Sequence, residues 1–312
     1  MSEASFINKI IKLFPNNTIG DDCAIIPAKN IFPQNNETGS NDYLLITTDT
    51  LVENVHFSLT YFSLEEVGYR SLAVNLSDIA ACGGMPFYFS MSITIPPYLN
   101  ESDLLKIYSG FQPLVEQYSL ILTGGDIVSG EKLSVTMTLF GTTQTPLSRT
   151  GAKEKDYVYV TGTLGGASYA LSRYLSGETP SSSLADRHKK PVPRVELIKS
   201  ILEKYSITSC IDISDAFSLD LSRLQTGNTG FEIDYFQLPV HPELTQLSAE
   251  ERDLFVLYGG EDFELIFTSP EKIKAENVTQ IGVVTSTKKI ELVYHEKKVA
   301  LEPRGYDHFN RS

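Results

Sequence analysis

Apolar residues along this chain follow two rhythms. Short runs rich in β-branched and aromatic residues predict strands at Tyr43–Thr48, Phe89–Ile95, Leu120–Thr123, Ser134–Gly141, Tyr157–Gly162, Phe231–Tyr235 and Glu264–Thr268. Longer stretches between them predict helices at Ser63–Cys82, Ser102–Tyr118, Gly166–Leu175 and Ser214–Leu224. The first helix carries the strongest punctuation. Ser63 and Glu66 have capping-box spacing, and Gly83-Gly84 followed by Pro86 supplies a stop. Strands alternating with helices predict a mixed α/β (α+β) fold. The polar turn near Leu147–Ala152 divides the chain into two domains, 1–148 and 149–312. Ser176–Arg194 reads as a long connection, and Ala28–Asp42 as another polar loop.

Composition narrows the classes. The chain has 312 residues, of which 41% are hydrophobic and 21% charged, as expected of a globular protein with room for two domains. Its formal net charge of -13 disfavours nucleic acid as a partner, because an acidic surface repels phosphate backbones. No apolar run reaches the roughly 18 residues needed to cross a bilayer, and Met1 to Pro15 lacks the pattern of a signal peptide. Cys23, Cys82 and Cys210 are too widely spaced for a zinc motif or a disulfide framework, so a reducing, cytoplasmic setting is expected.

The chemistry lies in acidic residues placed where strands end or helices begin. Gly20-Asp21-Asp22 precedes a short apolar run, and Thr47-Thr48-Asp49-Thr50 ends a strongly apolar strand. Gly124-Gly125-Asp126 follows a strand, Asp212-Ile213-Ser214-Asp215 opens a helix, and Gly259-Gly260-Glu261-Asp262 leads into a further strand. Any one of these alone reads as a turn or a helix cap. Together they predict a shared site for a polyanion and hard cations, with glycines allowing close backbone approach. Asp78 is the hardest to explain otherwise. It sits near the C-terminal end of the best helix, where the helix dipole disfavours a carboxylate by a few tenths of a kcal/mol to ~1 kcal/mol. A bound Mg²⁺ reverses that sign, and Asn75, one turn earlier, offers another oxygen. The chain has no GxxxxGK[ST] loop, protein-kinase motif set, GxSxG elbow or HExxH helix.

These motifs, in this order, resemble the thiamine-monophosphate kinase family within the aminoimidazole ribonucleotide synthetase superfamily. The matching segments begin with Gly20-Asp21-Asp22-Cys23-Ala24, the run from Thr47 to Phe57, and the run from Leu72 to Ala81. Gly124-Gly125-Asp126, Arg149-Thr150-Gly151-Ala152-Lys153 and Ile211-Asp212-Ile213-Ser214-Asp215 continue the match. Gly259-Gly260-Glu261-Asp262-Phe263-Glu264 and Gly305-Tyr306-Asp307-His308-Phe309 complete it. The chain departs from the pattern at Ala216-Phe217, where the family has Gly-Leu.

The resemblance implies a two-domain fold. Its N-terminal domain binds ATP and magnesium and pairs with its copy in a homodimer, and its C-terminal domain completes the nucleotide and substrate site. It implies ATP-dependent phosphorylation of thiamine monophosphate to thiamine diphosphate, with several Mg²⁺ ions as cofactor. By the same analogy Asp22, Thr47, Thr48, Asp49, Asp78, Asp126, Asp212 and Asp215 bind magnesium. Tyr108, Gly125, Asp126, Arg149 and Ser214 contact ATP, while His56, Glu261 and Tyr306 hold thiamine monophosphate. Asp78, Asp126 and Arg149 serve the transfer step itself. Because a substrate phosphate is already anionic, this chemistry needs no strong general base. Glu261 has a choice of partners, the cationic thiazolium or the aminopyrimidine. Two other classes compete: another ATP-using enzyme of the superfamily, and a magnesium-nucleotide-binding regulator without turnover.

Overall fold

The computed structural model describes residues 2–14, 17–31 and 42–309. In chain order these form α1 (Glu3–Leu13), β1 (Ala24–Pro27), α2 (Ala28–Ile31), β2 (Tyr43–Val52), α3 (Leu64–Ala81), β3 (Met85–Ile95) and α4 (Glu101–Tyr118). There follow β4 (Ile121–Ser129), β5 (Ser134–Thr143), β6 (Tyr157–Thr161), α5 (Gly166–Leu175), α6 (Ser182–Lys189), α7 (Val195–Leu202) and β7 (Ser209–Asp212). The last are α8 (Phe217–Arg223), β8 (Gly230–Asp234), α9 (Ala249–Val256), β9 (Leu265–Ser269), β10 (Val278–Thr285), β11 (Ile290–Tyr294) and β12 (Lys297–Ala300). The fold is mixed α/β and built on two sheets, one ordered β1-β2-β5-β3-β4 and the other β12-β11-β8-β10-β6-β9-β7. No described helix is long and apolar enough to cross a membrane.

The first sheet shows how its sequence was read by the fold. Alternate residues turn to opposite faces of a strand. Leu45, Leu51, Phe89, Met91, Ile93, Val135, Met137 and Leu139 all face one buried side. The outer side carries threonines instead, with Thr48 bonded to Thr138 at 3.0 Å and Thr50 to Thr136 at 2.9 Å.

Helix α3 lies between this sheet and α4, and also touches α6, α7 and β7. It is therefore buried almost all round, including Arg70, Asn75 and Ser77. Its capping box is formed as expected: Glu66 N–H donates to Ser63 Oγ (3.1 Å) and Ser63 N–H to Glu66 Oε2 (2.8 Å). The stop is formed too, with Gly83 in the left-handed region at φ 70°.

Several expectations need correcting. β2 runs on to Val52, so Thr47–Thr50 lies within the strand rather than at its end. β4 likewise continues to Ser129 and contains Gly124-Gly125-Asp126. A bulge makes this possible: Phe89 pairs with Leu122 but Ser90 with Gly124. A Cβ on Gly125 would lie 1.8 Å from Met91 O, so only glycine lets β4 approach β3. The connection at 176–194 holds α6. The helix expected from Ser214 begins only at Phe217, because Asp215 and Ala216 donate their N–H groups to the buried Asp220 carboxylate. Ala216 is extended at φ 176°, a conformation open to any residue, so alanine is unstrained there. Of the polar loop 28–42, residues 28–31 form α2 and residues 32–41 lie outside the described residues.

Helices α3 and α4 meet through two glycines. A Cβ on Gly68 would sit 2.0 Å from Ile107 O, and one on Gly110 the same distance from Glu65 O. Alanine is the better helix former by ~1 kcal/mol, yet Gly110→Ala should destabilise the protein. Overpacking of this kind costs about 1–3 kcal/mol, or roughly 2–4 °C in Tm per kcal/mol. Calorimetry showing an unchanged or higher Tm would contradict this packing.

Candidate active site

The two sheets bring acidic residues from distant parts of the chain to one place. Asp22 precedes β1, Asp78 sits in the last turn of α3, and Asp212 ends β7. Each offers a carboxylate oxygen, and these oxygens all lie within 4.8 Å of one another. Thr47 Oγ1 donates to Asp78 Oδ2 at 2.5 Å, and Ser77 Oγ donates to Asp212 Oδ2 at 2.7 Å. Asp49 lies on the same face of β2 as Thr47, and its charge acts on Asp78.

Burial dominates the electrostatics. It pushes the Asp22, Asp78 and Asp212 carboxyls up from the ordinary range, and the neighbouring carboxylates push further in the same direction. Asp49 is raised to about 6, again mainly by burial. One cation faces the group directly: Arg149 NH2 lies 2.5 Å from Asp22 Oδ1 and lowers that residue's shift. Arg149 is itself held by a backbone bond from its N–H to Asp21 Oδ1 (2.7 Å).

This donor set fits a hard divalent cation. The oxygens are close together, and one carboxylate is buried and two half-buried, which suits a hard cation such as Mg²⁺. Asn75 Oδ1, one turn before Asp78, is buried without a hydrogen-bond partner, which adds a free oxygen donor on that helix.

Beyond the cluster, Asp215 Oδ2 pairs with Arg223 NH2 at 2.6 Å, while Arg223 NH1 reaches Asp220 Oδ1 at 2.5 Å. Burial raises Asp220 to about 7. Neither Asp220 nor Arg223 figures in the motifs read from the sequence, where both look like ordinary residues of a short helix. Their signal is an i, i+3 ion pair directly after an acidic loop.

The loop 212–215 is also the platform for the other motifs. Glu261 N–H donates to Ser214 O at 2.8 Å, and a Cβ on Gly260 would lie 2.6 Å from both Ser214 O and Asp215 O. Tyr306 N–H reaches Asp215 O at 3.4 Å, and Ser218 Oγ donates to Arg304 O at 2.8 Å, pinning the C-terminal segment to α8.

Glu261 has the left-handed φ of 69°, which costs a non-glycine residue roughly 1–2 kcal/mol. Its carboxylate faces the wholly buried Arg70, with Oε1 2.6 Å from NH2, and lies 3.2 Å from His188 Nδ1 through Oε2. Burial alone would raise this carboxyl. Arg70, helped by His188 and His56, reverses that and holds it at about 2. Burial keeps the His56 and His188 imidazoles below their usual range.

His56 Nδ1 accepts from Val52 N–H at 3.0 Å. The His308 ring stands between His56 (5.5 Å) and Tyr306 (4.8 Å), so the three rings form one wall. Tyr61 and Tyr174 stack at 4.4 Å on the His188 side. The sequence motifs assign no role to Arg70 or His188, and they include His308 without giving it one. Arg70 does leave a trace there, as a lone charge inside the apolar run Val67–Leu76.

Other expected site residues lie apart from this group. Thr48 points to the opposite face of β2 from Thr47 and bonds Met137 O. Gly125 and Asp126 are exposed on β4, the edge strand of the first sheet, with Asp126 Oδ1 accepting only from Ile127 N–H (2.9 Å) among the bonds described. Tyr108 packs on Phe111 at 5.4 Å beside the α3–α4 core.

Because Asp78 has a folded pKa above its unfolded value, its charge destabilises the metal-free protein increasingly as pH rises, and not at all below the unfolded pKa. Asp78→Asn should therefore raise Tm in chelator by about 2–4 °C at alkaline pH, the effect of roughly 1 kcal/mol. The gain should shrink in mildly acid buffer. A gain independent of pH, or a loss at alkaline pH, would contradict the clustered charges.

Known proteins give this geometry a family. A model described as AIR synthase related protein, N-terminal domain, matches residues 20–143. The thiamine-monophosphate kinase of Bacillus subtilis (strain 168) is 35% identical over 93% of each chain. That of Aquifex aeolicus (strain VF5) is 33% identical over 99% of this chain and 98% of its own. Among solved structures, AaThiL complexed with AMPPCP and TMP superposes with a TM-score of 0.87 at 32% identity, covering 99% of this chain and 97% of its own. The E. coli hydrogenase maturation protein HypE shares the fold at 17% identity, with a TM-score of 0.69 and 96% of each chain covered. The chain belongs to the thiamine-monophosphate kinase family.

Proposed function

We propose that this protein transfers the terminal phosphoryl group of ATP to the phosphate of thiamine monophosphate, giving ADP and thiamine diphosphate. The observation that carries the reading is the adjacency of two unlike sites on one loop. The carboxylate cluster includes Asp212, and the segment after it holds the other group of residues: Glu261 N–H bonds Ser214 O and Tyr306 N–H bonds Asp215 O. Family membership supports it, as does the match to a structure holding AMPPCP and TMP together.

Asp22, Asp49, Asp78, Asp212 and Asp215 would hold several magnesium ions, with Thr47 fixing Asp78 and Ser77 fixing Asp212. Magnesium bound there supplies the positive charge that lets two polyanions approach. The acceptor oxygen is anionic at neutral pH, so no residue has to remove a proton from it. The chain's task is alignment. Arg149 presents a planar guanidinium beside the cluster, suited to phosphate oxygens once Asp22 has another partner. Ser214 and Gly125 would contact ATP through their backbone, and Tyr108 would lie toward the base. His56 and Tyr306 would flank the heteroaromatic rings, with His308 between them.

The domain division at 148/149 belongs to the same reading, and so does a homodimer through the first sheet. Strand β4 is exposed along its whole length and shows Ile121, Leu122, Ile127 and Val128 at an open sheet edge, which supports a partner there. Asp126 lies on that edge and would join the site only in the assembled enzyme. A cytoplasmic setting agrees with the three free thiols.

Mass spectrometry of a reaction with ATP, Mg²⁺ and either thiamine monophosphate or thiamine tests the function. Thiamine diphosphate should form from the monophosphate alone, and only with the metal. Tight nucleotide binding without product would favour the regulator instead. Asp78→Asn should abolish turnover in a protein that remains folded; near-normal activity would remove Asp78 from the metal site.

A further inference from the structure

Two guanidiniums act on the carboxylate cluster, and the sequence motifs account for one of them. Arg149 pairs with Asp22. The other, Arg223, ends α8 and pairs with Asp215, a carboxylate read as a metal ligand. Their fields overlap. Burial raises the Asp22 carboxyl, Arg149 lowers it most, and Arg223 lowers it further. Burial also works against the charge on Arg223. Asp220 and Asp215 more than offset that, and Arg149 is close enough to oppose them.

The two carboxylates that hold Arg223 are not alike. Asp220 is fully buried and fully committed. Its Oδ2 accepts from the N–H groups of Asp215 (3.0 Å) and Ala216 (3.1 Å), while Oδ1 takes Arg223 NH1 at 2.5 Å. Asp215 takes Arg223 NH2 at 2.6 Å, and its side chain keeps 25% of its surface open. Arg223 keeps 33% open. One half of the guanidinium is therefore anchored on a buried acceptor, and the other rests on an acceptor within reach of solvent and ions.

A dication attracts a carboxylate about twice as strongly as a single charge at the same distance, so a cation displaces Arg223 from Asp215. The NH2 donors then lack an acceptor. They cannot move far, because the guanidinium is a rigid fork and Asp220 still holds NH1. They are left beside a bound cation, where positive charge is in excess. An anion with several oxygens satisfies both at once, and a phosphate group has that form.

We propose that Arg223 is a second phosphate-binding arginine of this enzyme, parked on Asp215 until a cation takes that carboxylate and then turning about Asp220 to meet the nucleotide. This rests on Asp215 being a metal ligand and ATP the phosphoryl donor. The ion pair opens by exchange. Asp215 passes from Arg223 to the cation, Arg223 passes from Asp215 to a phosphate oxygen, and neither charge is left unpaired.

Calorimetry on the full chain tests this with the unaltered protein, Arg223→Gln and Arg223→Lys. Each is titrated with Mg²⁺ alone, then with a non-hydrolysable ATP analogue in saturating Mg²⁺. Arg223→Gln should bind Mg²⁺ about 2–5-fold more tightly, the effect of removing a competing, partly exposed ion pair. It should bind the nucleotide analogue about 10-fold more weakly, the effect of losing a hydrogen bond to a charged group. Arg223→Lys keeps the charge but has no fork to span Asp215 and Asp220, so it should show both shifts at reduced size.

The opposite signs are a readout that a merely structural role does not give. Damage to α8 would weaken both affinities together, and a plain surface ion pair would change neither. Either result, or a shift in only one of the two, would overturn the proposal. If Arg223→Gln is not folded by circular dichroism, Arg223→Lys decides by the same pair of signs. Absence of Mg²⁺ binding in the unaltered protein would overturn the cation site itself, a failure distinct from that of Arg223.

Discussion

The organising constraint of this protein is the confinement of carboxylates that repel one another. Asp22, Asp78 and Asp212 come from three segments far apart in the chain, yet their oxygens share a space less than 5 Å across. Burying even one uncompensated carboxylate costs several kcal/mol. A set of them survives only because each rides on a rigid element packed for other reasons. Asp78 is carried by the most buried helix and Asp212 by a strand with no exposed residue, while Asp22 is anchored by Arg149. The arrangement stores a demand for positive charge, and a bound cation would satisfy it.

Helix α3 links this constraint to everything else. One end of it carries Asp78 and Ser77 into the carboxylate cluster; two turns earlier Arg70 reaches the Glu261 loop. The helix packs on the first sheet and also touches α7 and β7, so its position sets both sites at once. Gly68 and Gly110 allow α4 to press it into place. Phosphate-handling and ring-handling groups are thereby held at fixed separation by a single rod, which suits a reaction whose catalysis is mainly alignment.

Much of this was legible in the sequence, for identifiable reasons. The limits of α3 followed from Ser63, Glu66 and Gly83, whose conformations are dictated locally. The acidic motifs could be found because carboxylates beside glycines are rare in apolar surroundings. What stayed hidden was set by three-dimensional partners. Thr48 stands between two inward residues and points the other way, a consequence of strand pairing that appears only once β2 is seen to extend to Val52. Gly124-Gly125-Asp126 looked like a turn, whereas a bulge against β3 keeps it in the strand. Asp220 and Arg223 gave no motif, because their role is to answer Asp215 and to cap a helix start that local preference placed three residues too early.

The central claim is that the buried carboxylates form a cation site. Its most direct test is calorimetric titration of the metal-free protein with Mg²⁺, beside the Asp212→Asn variant under the same conditions. The account predicts saturable binding by the unaltered protein that the variant lacks, with both folded by circular dichroism. Absence of binding in the unaltered protein, or equal binding in the two, would contradict it.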